Sequence, residues 1–132
     1  MKFSNKSGYG LQAMVRLANL YQEDKTRVLP LAELTDIDDI SESYLERVMR
    51  ILRKQGLVKS VQGRKGGYKL GKDPKNITAK EILLSLEGNL FPYKCVCGCS
   101  EEHCLTKNVW HKLYFSITKT LDNITLFDLI SH

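Results

Sequence analysis

Four cysteines, Cys95, Cys97, Cys99 and Cys104, fall within ten residues of this 132-residue chain, which has no others. Thiols crowded on one short stretch have two chemical uses. They can ligate a soft or borderline metal centre as thiolates, or they can act as redox-active groups. Four thiolates suffice for an iron–sulfur cluster of the 2Fe–2S or 4Fe–4S type, for tetrahedral zinc, or for Cu(I). In a reducing cytosol a disulfide framework is not expected of them. Gly98 lets the Cys-x-Cys-x-Cys backbone fold back so that its thiols converge. In a fully extended chain alternate cysteines share one face, and Cys95 and Cys99 sit far apart. His103 is a reserve ligand, although a lone histidine on a loop is more often simply exposed.

A second concentration is electrostatic. The net charge is +5, and its distribution tells more than its sum. From Arg47 to Lys75 there are ten Lys or Arg residues, half of the chain's 20, against a single acid, Asp73. The preceding stretch, from Asp24 to Glu46, is mostly acidic. A concentrated basic stripe is the footprint expected of phosphate binding, although a charge run taken alone is usually a solvated face. No nucleophile–base pair, no Gly-rich phosphate loop between a strand and a helix, and no paired carboxylates in an apolar setting stand out. A binding protein is therefore expected rather than an enzyme. A small redox enzyme or electron carrier with an incidental basic stripe is the competing class.

The elements that position these residues follow from periodicity. Leu11, Met14, Val15 and Ala18 predict a first helix over about residues 6–22, followed by an extended piece at Arg27-Val28. Pro30 suits the start of a short second helix over 31–36, with Asp38-Asp39 as the turn after it and Ile40 as an apolar plug. Ser41 can cap a third helix, and Ser43-Tyr44-Leu45-Glu46 offers an alternative capping box. Leu45, Val48, Met49 and Leu52 supply that helix's buried face, and Gly56 closes it. Residues 57–61 alternate apolar and polar, Gly63-Arg64-Lys65-Gly66-Gly67 is a tight basic turn, and Tyr68-Lys69-Leu70 returns, which predicts a β-hairpin with an electropositive tip. Thr78 with Glu81 opens a fourth helix that ends at Gly88. Residues 89–103 form the cysteine loop. A long helix runs from about 105 to 121, with Val109, Leu113, Ile117 and Leu121 at four-residue spacing and Trp110 and Tyr114 beside them. Thr125 with Asp128 begins a last short helix.

Helix, short helix, turn, helix, basic hairpin is the order of a winged helix-turn-helix, so the fold expected is mainly α with a small β-hairpin plus a long C-terminal dimerisation helix. The major groove of B-DNA admits one α-helix, whose N-terminal residues reach base edges. Here those residues are Ser43, Tyr44, Glu46 and Arg47. Arginine can donate two hydrogen bonds to guanine, and glutamate can accept from the cytosine amino group. Arg64 and Lys65 at the hairpin tip are placed to hold phosphate or to enter the minor groove, and Arg53 to touch phosphate. Simpler roles stand beside these: Ser41 and Ser43 as caps, Tyr44 as a core residue, the turn glycines as turn residues only.

The sequence resembles the bacterial winged-helix regulators of the family that includes IscR, NsrR and CymR, the Rrf2 family. The resemblance rests on Tyr9-Gly10-Leu11-Gln12-Ala13, on residues 40–46, on residues 52–58, on Gly66-Gly67-Tyr68-Lys69-Leu70, on Leu86-Glu87-Gly88 and on residues 124–129. It implies a transcription regulator that binds a two-fold symmetric operator as a homodimer, with Val109, Trp110, Leu113, Ile117 and Leu121 of the long helix at the interface. It divides the chain into a DNA-binding domain (1–88), a cysteine-rich sensor loop (89–104) and a dimerisation helix with a C-terminal helix (105–132). It implies a cysteine-ligated iron–sulfur cluster; the alternatives are a regulator of the same fold that binds zinc through its four sulfurs, or that uses free thiols or a protein partner. This chain departs from the pattern at three places. Lys107 stands where iron–sulfur regulators of the family have a histidine ligand, Gly8 where nitric-oxide sensors have an aspartate ligand, and Gln62 where cluster-binding members often carry arginine in the wing. Ligation by Cys95, Cys97, Cys99 and Cys104 alone is the expectation that follows. No apolar run approaches the roughly 18 residues of a membrane span, and the N-terminus leads into an amphipathic segment and not a signal peptide. A cytoplasmic protein without a membrane partner is expected.

Overall fold

The computed structural model of the chain describes residues 2–35, 40–93 and 104–131. In chain order the elements are α1 (Asn5–Glu23), α2 (Leu31–Thr35), α3 (Glu42–Lys54), β1 (Val58–Val61), β2 (Gly67–Leu70), a 3-10 turn (Pro74–Asn76), α4 (Ala79–Glu87), α5 (Lys107–Asp122) and α6 (Leu126–Ile130). The mainly helical architecture with one two-stranded antiparallel sheet agrees with the winged helix-turn-helix read from the sequence.

The core lies where α1, α3 and α4 cross. Met14, Leu17 and Ala18 from α1 meet Val48, Met49 and Leu52 from α3 and Ile82 and Leu86 from α4, all buried. Close approach of α1 depends on Gly10. A Cβ there would collide with Leu86 Cδ1 and lie 3.3 Å from Val48 Cγ1, so even alanine requires the Leu86 side chain to shift. The chain's end returns to the same core. Leu126 of α6 is fully buried, and its N–H donates to Ile77 O at 2.8 Å while Ala79 N–H donates to Ile124 O at 2.8 Å.

Local chemistry fixes the ends of the helices. Ser41 is the cap of α3, its side chain accepting from Tyr44 N–H at 3.2 Å, which settles the choice against a capping box begun at Ser43. At the other end Leu57 N–H donates to Leu52 O at 3.1 Å and Gly56 N–H to Arg53 O at 3.0 Å. That pair of bonds is a Schellman closure, and it requires the positive φ of 77° that Gly56 adopts. Full capping boxes open α4 (Thr78 with Glu81) and α6 (Thr125 with Asp128).

The hairpin pairs Val58 with Leu70, Lys59 with Lys69, Ser60 with Tyr68 and Val61 with Gly67. The extended piece before α2 adds a rung to it that periodicity alone does not predict: Leu29 and Tyr68 exchange two backbone hydrogen bonds, each 2.9 Å. A Cβ on Gly67 would strike the Leu29 carbonyl, so glycine is what lets this added bridge form. Residues 74–76 form the 3-10 turn, capped by Asp73 Oδ1 accepting from Lys75 N–H at 2.9 Å.

One polar clamp joins the start of α1 to the end of α4. Glu87 Oε1 at the end of α4 accepts from Ser4 N–H (2.6 Å), Ser4 Oγ (2.8 Å) and Ser7 Oγ (2.6 Å) at the start of α1. Burial works against the carboxylate's charge, but the bonds from Ser7 and Ser4 and the nearby Lys6 outweigh it and hold the Glu87 pKa below its ordinary value. A lowered pKa in the folded state contributes stability above the ordinary carboxylate range, lost as pH falls through the folded value. Glu87→Ala is expected to cost about 1–3 kcal/mol at neutral pH, because it leaves the buried Ser7 hydroxyl without its acceptor. It should also flatten the acid limb of the stability profile, measured by denaturant unfolding at several pH values. An acid limb unchanged by the substitution rejects the clamp.

Candidate nucleic-acid interface and cysteine run

On α3 the buried residues Leu45, Val48, Met49 and Leu52 form one stripe. Ser43, Glu46, Arg47, Arg50 and Arg53 are all exposed and recur at three- and four-residue spacing, so they share the opposite face. The Ser41 cap leaves the Ser43 side chain in solvent. Tyr44 is half-buried, and its two readings turn out to be compatible. It packs against the core, with Tyr9 of α1 edge-on to its ring at a centroid distance of 5.8 Å, while the Arg47 guanidinium lies 5.5 Å from the centre of that ring. Glu46 pairs with Arg50 at 3.4 Å, both side chains about half exposed. Such an exposed pair is worth about 0.3–0.5 kcal/mol, so either group can be given up to a better partner at little cost.

Arg53 ends this row, on the last turn of α3. Its Nη1 donates to Ser60 Oγ of β1 at 3.3 Å, so it ties the helix to the first strand of the wing. Arg64 and Lys65 stand exposed at the wing's tip, where Gly66 N–H donates to Gly63 O at 3.0 Å. The register adds a feature that the alternation of the strands leaves hidden: Lys59 and Lys69 face each other across the hairpin. Like charges directly opposite destabilise a hairpin, and an approaching polyanion would relieve them. Pairing residues outward from the turn is the signal that would find them in the sequence.

The long helix splits the residues assigned to a dimer interface. Val109 and Leu113 are 60% and 41% exposed, whereas Trp110, Ile117 and Leu121 are half-buried toward their own subunit. Phe115, at 66%, adds exposed apolar surface that a four-residue spacing does not pick out, and Leu105, at 99%, extends the four-residue row to a position before the helix. The inner side of α5 is aromatic. Tyr93 stacks on Trp110 with centroids 4.3 Å apart, and Phe91 meets Tyr114 at 5.2 Å and His111 at 5.5 Å.

Of the cysteines, Cys95, Cys97 and Cys99, with Gly98 and His103, lie outside the described residues. Cys104 is half-buried just before α5, its Sγ 3.5 Å from Thr106 Oγ1. Among the described residues no group of three or more His, Cys, Asp or Glu gathers in a way that could hold a metal. Lys107 begins α5, and Gly8 is exposed with nothing within 4 Å of a Cβ placed on it. Neither position carries the histidine or aspartate ligand that other members of the resembled family place there. No helix among the described residues is long and apolar enough to cross a membrane.

With this geometry in view, similarity to known proteins is informative. The Rrf2 family, described as an iron-dependent transcriptional regulator, matches residues 3–132. The HTH-type transcriptional regulator CymR of Bacillus subtilis is 37% identical over 132 residues, covering 100% of this chain and 91% of that protein. The regulator IscR of Klebsiella pneumoniae is 36% identical over 135 residues, covering 100% of this chain and 81% of that protein. Among solved structures, that of CymR, the global cysteine regulator of B. subtilis, superposes with a TM-score of 0.82 at 35% identity, covering 98% of this chain and 96% of that one. T. potens IscR gives 0.78 at 39% identity, covering 98% and 86%. These relatives are named as regulators of transcription, in agreement with the binding protein expected from the sequence. The full-length match in sequence and in fold makes this chain a member of the Rrf2 family of DNA-binding transcriptional regulators.

Proposed function

We propose that the protein binds a two-fold symmetric DNA operator as a homodimer, with the first turns of α3 in the major groove and the wing on the adjacent backbone or minor groove. The observation that carries this reading is the exposed row Ser43, Glu46 and Arg47 on the capped start of α3, continued by a wing that is cationic on its strands and at its tip. Arg47 is suited to guanine and Glu46 to the cytosine amino group. Arg64, Lys65, Lys59 and Lys69 supply phosphate contacts, which set affinity and register without reading sequence. Arg53 holds wing and helix in one unit. The outer row of α5, Val109 and Leu113, joins two copies, and Trp110, Ile117 and Leu121 shape its inner flank.

Glu46→Ala is expected to relax sequence choice more than affinity. In a selection from randomised duplexes, the position contacted by Glu46 should lose its preference while overall binding falls by less than about tenfold. An unchanged preference rejects the role.

The sensing part of the proposal rests on the donor set. The thiolates of Cys95, Cys97, Cys99 and Cys104 would hold an iron–sulfur cluster, which would supply a centre sensitive to oxidants, nitric oxide or iron supply. The described residues on either side of the cysteine run both lie against the start of α5: Tyr93 on Trp110, Cys104 against Thr106. A change in the run therefore bears on the helix that joins the two copies, and through it on the spacing of the two recognition helices. A second reading keeps the fold and replaces the cluster by zinc, by redox-active thiols or by a protein partner. The likeness to CymR, whose B. subtilis structure is described as the global cysteine regulator and whose Staphylococcus aureus protein is known in an oxidised form, favours it. Anaerobic purification followed by iron, sulfide and zinc analysis separates the two. Coloured protein with iron and acid-labile sulfide is expected; a colourless sample with one zinc per chain, or with no metal, overturns the cluster.

A further inference from the structure

We infer that Tyr9, on α1 and outside the helix-turn-helix, is a positioning residue for base readout: through the ring of Tyr44 it fixes where Arg47 presents its guanidinium. The inference rests on the reading that the start of α3 enters the major groove. Three contacts form a chain. Tyr9 meets the Tyr44 ring edge-on, with centroids 5.8 Å apart and planes at 80°. The Arg47 guanidinium carbon lies 5.5 Å from the centre of the Tyr44 ring. Tyr44 N–H is held by the Ser41 hydroxyl at 3.2 Å, so the backbone beneath the ring is fixed as well.

Closeness of α1 to α3 makes this possible. Gly10, next in sequence to Tyr9, brings α1 to within 3.3 Å of Val48 Cγ1, measured from the Cβ it lacks. An exposed arginine loses much rotamer freedom when it docks on a base edge. One already held over an aromatic face loses less, and its planar fork arrives oriented. Tyr9 is half-buried and is not among the residues that form the core cluster. Its removal should leave the fold intact and the orientation of Arg47 loosened.

The test uses the full chain, a duplex selected by the wild-type protein from a randomised pool, and an unrelated duplex of equal length at the same salt. The readout is the ratio of the two affinities. Tyr9→Ala should lower that ratio about three- to tenfold, the size of one aromatic or cation–π contact. Tyr9→Phe, which keeps the ring edge, should restore it to within about twofold. Tyr9→Leu, which fills the same space without a ring, should behave as Tyr9→Ala. In combination with Arg47→Ala, Tyr9→Ala should lower the ratio no further. Failure of phenylalanine to rescue, full rescue by leucine, additive effects with Arg47→Ala, or an unchanged ratio in Tyr9→Ala each overturns the inference. Arg47→Ala leaving the ratio unchanged overturns the groove reading itself, so the two failures are told apart.

Discussion

Val109→Lys together with Leu113→Lys is expected to yield a folded monomer whose operator affinity is about 10²- to 10⁴-fold weaker than that of the wild type. Both side chains are substantially exposed within one subunit, at 60% and 41%, so the exchange removes little from the core. Across a two-fold interface the same residues come from both copies, and four ammonium groups would be brought together and dehydrated. The loss in DNA binding follows from multivalency. Two linked recognition units bind with an effective concentration that separate ones lack, which accounts for the factor expected. Two added positive charges would if anything strengthen non-specific binding, so a fall in affinity reports the broken dimer and not the new charge. Sedimentation and a binding titration on one duplex measure both. A stable dimer in the double variant would place the interface elsewhere than the outer row of α5.

The second large effect is expected at the wing. Arg64→Ala with Lys65→Ala should weaken binding to every duplex, cognate or not, by on the order of 10²-fold at physiological salt. It should also lower the slope of log affinity against log salt by about two to four units, because each phosphate no longer neutralised takes about 0.9 from the slope and a dimer carries two wings. Folding should be untouched. The tip is exposed, and its turn is closed by backbone, Gly66 N–H to Gly63 O at 3.0 Å. Specificity should survive, since in the proposed complex the tip would hold phosphate while α3 would read bases. A slope equal to that of the wild type would remove the wing from the interface.

Much of this organisation is legible in the sequence because it is local. The caps at Ser41, Thr78 and Thr125 and the closure at Gly56 are set by residues within a few positions of one another, and each appears where expected. The features that are not legible are long-range. The rung between Leu29 and Tyr68 depends on a glycine, Gly67, whose role shows only once the Leu29 carbonyl is seen beside it. Tyr9 reads as one more helix residue until α1 is laid across α3 by Gly10. On α5 a four-residue spacing groups Val109, Leu113, Ile117 and Leu121. A helix turns 3.6 residues at a time, so that row drifts from the outer face toward the subunit's own side, and the exposure of Val109 and Leu113 against the half-burial of Ile117 and Leu121 follows that drift. The choice between Ser41 and Ser43 as cap is open in the sequence for a different reason, as both carry a hydroxyl at a suitable distance from a following N–H.

The salt dependence of duplex binding by the unmodified protein tests the whole scheme most directly. Two cationic helix-and-wing units on one operator should give a slope of log affinity against log salt of about −5 or steeper, with tighter binding to a selected duplex than to an unrelated one. Affinity that does not change with salt, or no affinity for any duplex whether the thiols carry metal or not, would contradict it.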